Sequence, residues 1–145
     1  MSCFCAEAKV VHHGVEETVK GMRASNPELV IQLVTLEKLP EAMTIRMIAA
    51  QTARALETGD LLASKPEVDL LLRLAGTRQI ALAMKACGYD APGKKLLVAL
   101  GPGEPLEKLR QSVATHGTFV ELRGNGIDEE GLRMVEKAAL LATRA

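Results

Sequence analysis

Aromatic side chains are nearly missing from this chain: its 145 residues include no tryptophan, one tyrosine and two phenylalanines. The core must therefore be filled by Leu, Val, Ile, Ala and Met, and the case for a platform of stacking rings for nucleobases is weakened. Cysteine is scarce as well. Cys3, Cys5 and Cys87 are an odd number in a chain large enough to fold without staples, which excludes a disulfide framework and points to a reducing compartment. No apolar run reaches the roughly 18 residues of a membrane span, and no basic segment precedes a hydrophobic one at the start of the sequence. A cytoplasmic protein without membrane association is expected. Neither sign of charge is in excess, with 18 basic and 18 acidic residues, so the molecule as a whole offers no general attraction to a polyanion.

What is present is ordinary for a globular protein: 48% of residues are hydrophobic and 25% charged, enough to order the whole of 1–145 as a single domain. The charge is unevenly spread. Between residues 61 and 100 six basic residues (Lys65, Arg73, Arg78, Lys85, Lys94, Lys95) face three acidic ones (Glu67, Asp69, Asp90), and the rest of the chain carries the balancing negative excess.

Hydrophobic periodicity orders the elements. A strand over 3–11 ends at a turn of His12, His13 and Gly14, and a short helix over 15–23 is broken by Asn26 and Pro27. Residues 29–36 (LVIQLVTL) are almost continuously apolar, which predicts an interior strand covered on both faces. Three helices follow, over 41–56, 66–75 and 77–87, with Pro66 near a helix start, Gly59 and Gly76 as stops and Thr77 as a cap. A strand over 94–100, a helix over 106–115, a strand over 118–122 and a closing helix over 130–143 complete the order. The fold class read from this is α/β, with α+β as the alternative: one sheet with packed helices and a three-helix insert.

No catalytic constellation emerges. Gly101, Pro102 and Gly103 lack the later glycine of a dinucleotide loop, and proline removes donors a phosphate needs, so they read as a strand-to-helix turn. Cys3 and Cys5 share one strand face, and His12 or His13 could approach them as a soft metal site, but the spacing matches no familiar zinc motif and apolar packing is the simpler reading. His116, at a helix end, suits that helix's dipole. The corner Gly76, Thr77, Arg78, Gln79 between two apolar helices is more specific. It crowds donors and a cation onto a helix N-terminus, with Arg73 one turn earlier, which suits an anion or a base edge. The closing helix is unusual in another way, with apolar residues on more than one face (Leu132, Val135, Ala139 and Ala142; Met134, Ala138 and Leu141; Leu140). Such girth means either an internal sandwich or a surface that meets a partner.

Three segments of the chain resemble, in order, the small kinase-binding subunit of KEOPS, the complex that makes threonylcarbamoyl-adenosine in tRNA. They are the long helix followed by Leu62, Ala63, Ser64, Lys65 and Pro66; the run DLLLRLAGTRQI from Asp69 to Ile80, continuing to Gly88; and VEKAALL from Val135 to Leu141. Ala75 stands where the middle motif more often has serine. The resemblance implies an archaeal-type, non-catalytic subunit without cofactor or metal. It would bind a PRPK-like kinase or ATPase subunit and capture tRNA by its 3′ CCA end, the transfer chemistry lying on another subunit. Carried onto this sequence, the RNA-binding set is Lys65, Arg73, Gly76, Thr77, Arg78 and Gln79, and the partner-binding set is Val135, Ala138, Leu140 and Leu141. The alternative is a small-molecule-binding regulatory domain or minor enzyme that uses the Gly-Thr-Arg-Gln corner as an anion pocket.

Overall fold

Residues 2–9, 14–88 and 90–143 are described by a computed structural model. Strand β1 (Ser2–Ala8) leads into helix α1 (Gly14–Ser25) and strand β2 (Val30–Leu36). Helices α2 (Ala42–Thr58), α3 (Pro66–Ala75) and α4 (Ile80–Cys87) form the insert that the periodicity predicts. Strand β3 (Lys94–Gly101), helix α5 (Gly103–His116), strand β4 (Phe119–Glu121) and helix α6 (Glu129–Leu140) follow, with a last 3-10 turn at Leu141–Thr143. The expected turn at His12 and His13 lies outside the described residues.

The sheet order is β2-β3-β1-β4, and every neighbouring pair is antiparallel. Two split β-α-β units, β1-α1-β2 and β3-α5-β4, thus interleave, each placing one strand between the two of the other. The chain is a single mixed α/β domain whose antiparallel sheet answers to the α+β alternative.

Both faces of the sheet are covered, which is why its strands alternate between two apolar sets and not between apolar and polar. Phe4, Ala6, Ile31, Leu33, Leu97 and Ala99 face α1 and α5, meeting Val15, Val19, Leu106, Leu109 and Val113. Cys5, Val30, Val34, Leu96, Val98 and Leu100 face the helical insert, meeting Ile45, Ile48, Leu70 and Leu72.

The expectation that residues 29–36 form an interior strand needs correction. β2 is covered on both faces but lies at the sheet edge. Apolar continuity reports burial of faces and says nothing of lateral position. Here the open edge is closed by side chains: Arg23 Nε donates to the Ile31 carbonyl at 2.8 Å, and the Leu33 N–H donates to Gln32 Oε1 at 3.0 Å. Arg23 Nη2 donates to that same Gln32 oxygen, while Gln32 Nε2 donates to the Glu67 carbonyl of α3 at 2.8 Å. An edge so occupied is a poor template for another strand.

Helix boundaries move modestly. α4 begins at Ile80 and not at Thr77, and α5 begins at Gly103, so that Glu104 and Pro105 belong to its first turn. Helix α6 lies outermost, across α2 and α3. Its start is fixed by the Asp128 carboxylate, which accepts from the Gly131 N–H at 2.7 Å, and by close approach at Gly131 itself. A Cβ there would stand 2.3 Å from Thr44 Oγ1 of α2, so only glycine lets the two helices meet at this distance.

Candidate functional site

Helix α3 is the axis on which the corner is hung. From Asp69 to Leu74 every residue is buried, a helix wrapped by the rest of the domain, and a charge inside such a helix needs a partner. Arg73 finds it one turn back: its Nε donates to Asp69 Oδ1 at 2.7 Å and its Nη2 to Oδ2 at 3.2 Å. Asp69 also accepts from Thr52 Oγ1 at 2.6 Å and from the Leu62 N–H at 2.9 Å. Arg73 Nη1 reaches Gln51 Oε1, and Gln51 Nε2 donates to the Val135 carbonyl of α6. One polar network therefore ties α2, α3 and α6 together.

This corrects the expected RNA-binding set. Arg73 is 3% exposed and its guanidinium is spent on Asp69, so it presents no charge to a ligand. Lys65 is exposed but caps the opposite end of α3, ten residues and roughly 15 Å of helix from Gly76. The structure brings together the remaining four.

Gly76 ends α3 in the left-handed conformation (φ 71°), its N–H bonding the carbonyls of Leu72 and Arg73, while the Thr77 N–H also reaches Leu72. This is a Schellman turn, which closes the carbonyl end of α3 and releases the chain outward. The Gln79 N–H donates to Thr77 Oγ1 at 3.2 Å, so the threonine shapes the turn ahead of α4 and does not cap the helix. Gln79 holds the cap position without a side-chain bond to the helix, and no capping side chain covers the first N–H groups of α4. Arg78 and Gln79 are exposed.

Gly76, Thr77, Arg78 and Gln79 line a cavity of about 270 Å3, and its opposite wall is Lys137, Leu140 and Leu141 from the end of α6. Its lining includes two cations and no carboxylate. A larger cavity of about 410 Å3 lies on the other side of Lys137 and Gly76, bounded by Lys38, Glu41, Asp128 and Glu130, with charge of both signs. Lys137 escaped the sequence reading. Its neighbours Leu140 and Leu141 drew notice, but nothing in the local pattern says that this face of α6 crosses Gly76.

The expected partner-binding set divides. Ala138 and Leu141 are buried within the domain, at 0% and 6% exposure, so they are core residues and not surface for a partner. Val135 is half-buried against the same core. Leu140 points outward at 57% exposure, joined on the outside of α6 by Leu132 at 44%. Ile80, Leu82 and Met84 of α4 are also about half exposed, a feature that periodicity did not reveal because α4 reads as apolar throughout.

Cys3 and Cys5 do share a sheet face. Burial pushes the Cys3 thiol up to about 12 and the Cys5 thiol up to about 11, despite the nearby Arg46 guanidinium, so both stay protonated at neutral pH. Among the described residues no three His, Cys, Asp or Glu side chains are grouped to hold a metal ion. His116 sits in the last turn of α5, its Nδ1 donating to the Ser112 carbonyl at 2.7 Å. No helix among the described residues is long and apolar enough to cross a membrane.

Compared with models of known protein families the chain gives no match, and compared with curated proteins it gives none.

Proposed function

We propose that this chain is a non-catalytic binding subunit of the KEOPS type, which holds the single-stranded CCA end of tRNA at the Gly-Thr-Arg-Gln corner and docks a PRPK-like kinase or ATPase subunit on the outside of α6. The observation that carries the RNA half is the corner cavity, walled by Arg78 and Lys137 and free of carboxylates. Cations and open helix N–H groups suit phosphates, while the Gln79 amide and exposed backbone donors can read base edges. The partner half rests on the resemblance of Val135 to Leu141 and on the outward Leu132 and Leu140, two apolar side chains on the solvent side of an outermost helix.

A second reading has one observation in its favour. The larger cavity, at about 410 Å3, falls within the range of about 300 to 1,000 Å3 common for small-molecule sites, which fits a regulatory domain. Co-purification from native cell extract separates the two. Recovery of an atypical kinase subunit together with tRNA supports the binding-subunit role, and recovery of a metabolite alone supports the regulatory domain.

A further inference from the structure

We infer that Lys137 is a phosphodiester-binding residue of the corner, so that the RNA-end site is built from two helices, α6 supplying one wall and the α3–α4 turn the other. This rests on the reading of the corner as an RNA-end site and adds a residue from outside the Gly-Thr-Arg-Gln corner.

Three observations meet at this side chain. Its stem lies across Gly76: a Cβ built on that glycine would stand 3.0 Å from Lys137 Cε and 3.3 Å from Nζ, so the lysine packs on bare backbone. A stem already held there loses less freedom when its ammonium takes a ligand. Among the described residues its ammonium has no ion pair, whereas on the same helix Arg133 is paired with Glu129, and Glu130 with Lys38 of the β2–α2 loop. Finally, Lys137 lines both cavities and stands at the boundary between the mixed-charge one and the carboxylate-free one. A phosphate in the corner cavity would lie between Lys137 and Arg78, before the uncapped N-terminus of α4.

The same ammonium lies near the carbonyl end of α3, where a cation can serve structure alone. The test must tell the two roles apart. Fluorescence anisotropy of the full chain is measured against a labelled single-stranded RNA ending in CCA and against the same RNA lacking those three nucleotides, over a salt series. Lys137→Met keeps an apolar stem over Gly76 and removes the charge. It should bind the CCA-ended RNA roughly three- to tenfold more weakly, with the slope of log affinity on log salt shallower by about 0.7, the value of one single-strand phosphate contact. Lys137→Arg should retain most of the affinity, and the thermal midpoint of Lys137→Met should match the wild type. A wild type that prefers the CCA-ended RNA, beside a Lys137→Met variant with the same affinity and slope, overturns the inference and leaves the RNA reading standing. A loss of binding that only follows a fall in thermal midpoint also overturns it, since the role is then structural. Equal binding of both RNAs by the wild type removes the RNA-end reading, and the inference with it.

Discussion

Asp69 and Arg73 meet where water does not reach, at 0% and 3% exposure, and their energetics differ from those of a surface pair. Removing both charges from solvent is costly, and the pair survives because each carboxylate oxygen has a second partner, in Thr52 or Leu62, and the remaining arginine nitrogen, Nη1, reaches Gln51. Deleting one member leaves an uncompensated charge. Asp69→Ala should therefore cost about 3 to 5 kcal/mol in urea unfolding, while Asp69→Ala with Arg73→Met should recover part of that loss. A single variant within about 1 kcal/mol of wild type would show that Arg73 finds water and is free for other duties. The spacing of the pair, i and i+4, is plain in the sequence, and so is the run of leucines around it. Its burial is less plain, because a basic residue beside a candidate ligand motif invites a functional reading. Leu70, Leu71, Leu72 and Leu74 carry the contrary signal: a helix apolar on all sides is enclosed, and its charges with it. The role of Lys137 depends on a helix crossing between residues far apart in sequence, which no local pattern encodes.

Helix α6 poses the corresponding problem for an element. Its apolar residues exceed one stripe, and the structure divides them into an inner set (Gly131, Ala138 and Leu141 buried, Met134 and Val135 partly so) and an outer pair, Leu132 and Leu140. Adjacent residues Leu140 and Leu141 thus have opposite duties. Leu140→Arg should leave stability within about 0.5 kcal/mol and release the kinase-type partner in co-elution, because it sets an unpaired charge in an apolar contact. Leu141→Arg should unfold or strongly destabilise the domain. The partner surface lies elsewhere if Leu140→Arg co-elutes fully with that subunit. Element order, the three-helix insert and the stops at Gly59 and Gly76 were all legible, since each rests on a local period or a terminal residue. The edge position of β2 was not. It is settled by strand pairing, and an edge covered on both faces has the same apolar signature as a central strand.

At the scale of the molecule, an antiparallel sheet between two helical layers leaves the thiols of Cys3 and Cys5 packed beneath the insert and protonated. The folded chain holds these protons more tightly than the unfolded one. Stability is therefore full below the ordinary thiol value of 9.0 and is lost as pH climbs from there through about 11 and about 12. Chemical unfolding at pH 7, 9 and 10.5 should give a falling midpoint above 9, with Cys5 unreactive to iodoacetamide at pH 8 until denaturant is added. Rapid alkylation of the folded chain at pH 8 would contradict it. With its buried thiols held neutral and its polar network turned inward, the domain presents to solvent a carboxylate-free cavity at one corner and, beside it, the two outward leucines of α6. The role proposed for that corner depends most directly on whether an unpaired tRNA end is what it holds. Gel-shift titrations of the full chain with intact tRNA and with tRNA trimmed of its CCA nucleotides decide this. Intact tRNA should bind more tightly, by roughly tenfold or more at low salt, and Arg78→Glu should abolish the difference while the affinity of the wild type falls as salt rises. Equal affinity of the wild type for intact and trimmed tRNA would contradict the account.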